Sequence, residues 1–151
     1  MRVLAFASLA ALAIGASACA MGDKPMMAEK PMAAPQTYAE LIVSDQRMRG
    51  GTITIAHIEM ANDGFVVIHE TSDDGKPIAP ASIGHTAVKK GDSDNVVVRL
   101  THPVKRGTKL IAMLHDDTGK MGAYEFGPGA TTEDKPTMVG GAPVVKAFTI
   151  Q

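Results

Sequence analysis

The seven-residue run Gly64-Phe65-Val66-Val67-Ile68-His69-Glu70 constrains this chain more than any other stretch. Its β-branched and aromatic side chains suit a pleated surface better than a helix, and it follows the turn signal Asn62-Asp63-Gly64. Side chains alternate in a strand, so Phe65, Val67 and His69 share one face, and Val66, Ile68 and Glu70 the other. Both rows are mostly apolar. This predicts an interior strand, covered on one side and partly covered on the other.

The remaining strands are predicted at the spacing of an all-β sandwich, about seven in total. Residues 40–45 and 52–60 come first. In the second, the pattern Ile53, Ile55 shifts to Ile58, Met60, which predicts a bulge near Ala56-His57. The turn at residues 62–64 predicts a hairpin with the central strand. Residues 78–88, broken by Pro80 and Gly84, are predicted as an edge or a loop, and 89–95 as a turn containing Asp92-Ser93-Asp94. Residues 96–100 and 108–115 alternate cleanly: Val96, Val98 and Leu100 inward, then Leu110, Ala112 and Leu114 opposite Ile111, Met113 and His115. The connection 116–137 is long for a compact domain. Tyr124 and Phe126, alternating like a short strand, are expected to hold it down. Residues 144–150 close the sheet. With 4% aromatic residues and no Trp, the core must come from aliphatic side chains and Met.

The chain begins with Met1-Arg2, a 12-residue apolar run at 3–14, and Gly15-Ala16-Ser17-Ala18-Cys19. That run is too short to span a bilayer and reads as a signal peptide over residues 1–18. Cys19, the only cysteine, sits where a lipobox would lipidate it, which makes the membrane a partner through an N-terminal lipid anchor. Ala16 stands where Leu is commonest, and Ala16-Ser17-Ala18 also fits ordinary signal-peptidase cleavage, so a soluble periplasmic or secreted product is the alternative. Ala20 after the cysteine favours an outer-membrane lipoprotein facing the periplasm. Residues 19–36 hold Met21, Met26, Met27 and Met32 among Pro25, Pro31 and Pro35, the composition of a disordered tether. The sandwich domain then occupies 37–151. A net charge of −1 gives no reason to expect nucleic acid.

As a set, several segments resemble a family of uncharacterised β-sandwich domains of archaeal cell-surface and bacterial envelope proteins. They are Asp63-Gly64-Phe65-Val66-Val67-Ile68-His69, Val96-Val97-Val98-Arg99-Leu100, Leu110-Ile111-Ala112-Met113-Leu114-His115-Asp116-Asp117, Gly122-Ala123-Tyr124-Glu125-Phe126 and Pro143-Val144-Val145. The resemblance runs from about residue 43 to 150. It implies an antiparallel immunoglobulin-like sandwich and carries no catalytic residue.

Candidate chemistry is sparse. His69 and His115, on two apolar strands, would converge on zinc or copper if those strands are neighbours. The plain alternative makes His69 a core histidine bonded to backbone and His115 a rim residue. Met26, Met27 and Met32 are soft donors suited to copper. Asp116-Asp117 with Gly119 suggests calcium, although the oxygen count falls short of a built loop. No G-x-S-x-G or phosphate-binding glycine loop occurs. The expectation is therefore a non-catalytic, envelope-anchored binding or structural module, not an enzyme. A periplasmic copper- or zinc-binding protein, using the Met-rich tether and the histidines, is the second reading.

Overall fold

The structure, a computed structural model, describes residues 38–151. The predicted signal peptide, the tether, Cys19, Met26, Met27 and Met32 lie outside the described residues. Nine strands follow in order: β1 Ala39–Ile42, β2 Thr52–Met60, β3 Gly64–Glu70, β4 Gly84–Val88, β5 Gly91–Arg99, β6 Lys109–Asp116, β7 Met138–Val139, β8 Ala142–Pro143 and β9 Val145–Thr149. All named strand pairs are antiparallel. Among the described residues there is no helix, and none long and apolar enough to cross a membrane.

Two sheets carry the domain. One is ordered β1-β2-β5, the other β4-β3-β6-β9, and β7-β8 forms a separate ribbon. The inward rows of both sheets make one buried cluster. Leu41, Ile53, Ile55, Ile58, Met60 and Val98 come from the first sheet; Val66, Ile68, Leu110, Ala112, Leu114 and Phe148 come from the second. Each of these side chains larger than Ala112 contributes about 1.5–3 kcal/mol by leaving water. The apolar rows were read correctly because period two is imposed by strand geometry itself.

The phase shift in β2 is real and is shared with β5. Ile53 and Ile55 are buried, then Ile58 and Met60, while the register with β5 stays continuous on both sides of Ala56. Register survives only if β5 slips phase at the same point. It does so at Asn95, the residue facing the break, which adopts φ 53°. Asn tolerates this left-handed conformation better than most residues.

Four expectations fail. The turn at Asn62-Asp63-Gly64 does not close a hairpin: β2 pairs with β1 and β5, while β3 pairs with β4 and β6. The turn instead carries the chain from one sheet to the other. Asp63 anchors it by accepting hydrogen bonds from Lys89 Nζ at 2.7 Å and the Lys90 amide at 2.9 Å. Secondly, β3 is buried on both faces over Gly64–His69, not partly covered on one. The stretch 78–88 does yield an edge strand, β4, one of its two expected forms; the third failure is the turn after it. The predicted turn at 89–95 is in fact shorter, because Gly91 at φ 91° lets β5 start at once. Its Asp92, Ser93 and Asp94 disguised it, since these residues have low strand propensity. Fourthly, Tyr124 and Phe126 belong to no strand; they act through their rings, as described next.

Candidate functional site

The outer face of the four-stranded sheet carries Phe65, Val67 and His69 on β3, and Ile111, Met113 and His115 on β6. Phe65 stands opposite His115, Val67 opposite Met113, and His69 opposite Ile111. All six are buried. Rings from the long connection help to cover them. Tyr124 packs edge-on against Phe65, with centroids 5.2 Å apart, and against His115 at 5.5 Å. Phe126 meets His115 at 5.1 Å, and His85 of β4 lies tilted over Tyr124 at 4.6 Å.

His69 and His115 are brought together, as expected if their strands are neighbours. Their ring centroids lie 6.0 Å apart with planes 27° off parallel, and both residues are 0% exposed. His115 is thus no rim residue. His69 Nδ1 bonds the Ala81 carbonyl at 2.7 Å and His115 Nδ1 the Asp134 carbonyl at 2.5 Å. A carbonyl only accepts, so each Nδ1 carries the hydrogen and each Nε2 keeps its lone pair. Both Nε2 atoms are buried without a partner, as is the Tyr124 hydroxyl. Burial disfavours the imidazolium form. It holds His69 below the ordinary histidine range and His115 at about 4, the neighbouring His69 adding to the latter effect. Burial also pushes the Tyr124 phenol well up. The cluster is therefore neutral at ordinary pH.

The acidic residues of the connection serve as local staples. Asp134, fully buried at φ 45°, accepts the Thr118 amide at 2.8 Å and the Glu125 amide at 2.6 Å. Its own amide donates to Thr118 Oγ1 at 2.7 Å. Asp117 accepts the Gly122 amide, Glu125 the Lys120 amide, and Asp116 the Thr137 hydroxyl. Asp116 and Asp117 each spend an oxygen on these bonds, although Asp117 Oδ1 stays buried and unpartnered. Among the described residues, no three His, Cys, Asp or Glu are placed to hold a metal ion. The calcium expectation at Asp116-Asp117 thus has no convergent oxygen set. Of the remaining histidines, His57 bonds Asp94 at 2.7 Å and His102 lies 3.4 Å from Glu70, both near the surface.

Sequence reasoning missed what Asp134 and His85 do: one staples the loop's backbone and the other packs over Tyr124. Asp134 follows Glu133 in a polar loop, and nothing in its neighbours marks it. His85 follows Gly84, whose close approach is a legible signal only in hindsight: a Cβ there would lie 2.6 Å from the Arg99 carbonyl.

Fold and site together define an all-β antiparallel domain whose outer sheet face is closed by a carboxylate-stapled loop over a histidine–aromatic cluster. Residues 39–151 match the family described as Domain of unknown function (DUF7282), and the chain belongs to that family. Two relatives are similar to it, both from Haloarcula hispanica. Cell surface glycoprotein 1 is 24% identical over 112 residues, covering 74% of this chain and 11% of that protein. Cell surface glycoprotein 2 is 23% identical over the same length and shares. The chain thus spans about a tenth of the curated relatives it matches. No solved structure matches it.

Proposed function

We propose that this protein is a non-catalytic binding or structural module of the cell envelope, built on an immunoglobulin-like sandwich and anchored by lipid on Cys19. The observation that carries the reading is its likeness to cell surface glycoproteins across 112 residues, 74% of this chain. The N-terminal leader read from the sequence agrees with export. The strand order supports the immunoglobulin-like reading: β1-β2-β5 faces β4-β3-β6-β9. That corresponds to the A-B-E and C-F-G sheets of such sandwiches, with the fourth strand moved beside C. A non-catalytic role is favoured by the state of the titratable groups in the site. Both cluster histidines are buried and neutral, and Asp134 accepts two backbone amides, so these groups are engaged in holding the loop on the sheet.

The test is export and acylation. Cells fed a labelled lipid precursor are expected to label the wild type in the membrane fraction, and to leave Cys19→Ala unlabelled. A wild-type product that stays cytoplasmic with its leader intact overturns the proposal. A processed but unlabelled wild type retains export and removes the anchor.

A further inference from the structure

We propose that His69 and His115 form a buried site for the soft monovalent cation Cu(I), with the two Nε2 atoms as donors and the Met113 thioether beside them. Geometry comes first. His115 stands opposite Phe65, four residues from His69 along β3. At roughly 3.3 Å per residue that is a separation of about 13 Å along the strands. The ring centroids are nonetheless 6.0 Å apart. The two side chains therefore reach along the sheet toward each other, above the Val67–Met113 pair.

Chemistry comes second. Each Nδ1–H is tied to a backbone carbonyl, the outer-shell bond that orients metal-bound histidines and raises their basicity. Each Nε2 lone pair is buried and unsatisfied, and two acceptors cannot bond each other. An electropositive occupant between them satisfies both. Zinc asks for four ligands and calcium for six or more oxygens, whereas no three His, Cys, Asp or Glu converge among the described residues. Soft thioether donors select Cu(I), and imidazole suits copper. Met113 is buried on the same face, at the register position between the rings. A single positive charge also costs less to bury than a double one. A water molecule donating both hydrogens is the competing occupant; a methionine at the register position between the two histidines favours the soft cation.

The experiment uses the full chain with 15N-labelled histidine, titrated without oxygen with Cu(I) and, as a redox-inert probe, with Ag(I). One equivalent is expected to move the Nε2 resonances of His69 and His115 together, leave their Nδ1–H signals in place, and raise the melting midpoint. Met113→Leu is expected to weaken the effect while both rings still respond. His115→Phe is expected to abolish it. Should that variant fail to fold, the wild-type ring resonances decide alone. Unmoved ring nitrogens overturn the proposal, whether the metal goes instead to the thioether sulfurs of Met26, Met27 and Met32 or the rings keep a bridging water.

Discussion

At the scale of single residues, the buried histidines make the domain acid-sensitive. His115 is held at about 4 in the folded chain, against an ordinary 6.5. As pH falls, the unfolded chain takes up the proton first, and protonation favours unfolding. The stability linked to His115 is complete above about 6.5 and is lost as pH drops toward about 4, a change on the order of 3 kcal/mol. His69, lowered by its own burial, acts with the same sign. His57 acts with the opposite sign: its bond to Asp94 raises it, so its contribution is lost as pH rises through the folded value. Urea midpoints measured from pH 8 to pH 4 should fall over the lower half of that range, and His115→Leu should flatten the fall. A wild-type midpoint constant down to pH 4 contradicts the burial of His115. None of this was visible in the sequence beyond the alternation that placed both rings on apolar strands. Which carbonyls cap them depends on Ala81 and Asp134, 12 and 19 residues away.

At the scale of elements, β3 is the strand with least freedom. Val67 is fully buried and faces Met113 on one neighbour and His85 on the other. Val67→Asp buries an unpaired carboxylate at a cost of several kcal/mol, comparable with the whole stability of a small domain. The expected result is no cooperative melt by circular dichroism, and wild-type melting would mean the strand is placed wrongly. Gly64 is constrained differently. An added Cβ would lie 2.2 Å from the His115 carbonyl and 2.5 Å from Met60 Cε. The methionine can swing away; the carbonyl, fixed in β6, cannot. Gly64→Ala should therefore lower stability by about 1–3 kcal/mol, the usual cost of overpacking, read as a shifted denaturant midpoint. This close approach also explains why the hairpin expectation failed. Asn62-Asp63-Gly64 has hairpin chemistry, but Gly64 is needed where β3 pairs beside β6, in the sheet that does not contain β2.

For the whole molecule, the shared core lies entirely within the residues that match the family. A fragment beginning at residue 38 should thus melt within a few degrees of the processed full chain; a large drop would show that earlier residues stabilise the domain. Sequence alone determined which residues alternate, which rows are apolar, and that Val96, Val98 and Leu100 point inward while Val97 points out; it did not determine where β5 starts or that β3 is covered on both faces. The alternating rows follow from backbone geometry and water, and both act on near neighbours in the chain. Tertiary structure alone decided which strands pair, that β2 and β3 part into different sheets, and that a polar loop closes over the histidines. Pairing partners compete for the same edge hydrogen bonds, and every candidate strand offers the same ones. The choice therefore rests on side-chain shape and buried polar contacts made across long separations, such as Gly64 against His115 and Asp134 against Thr118.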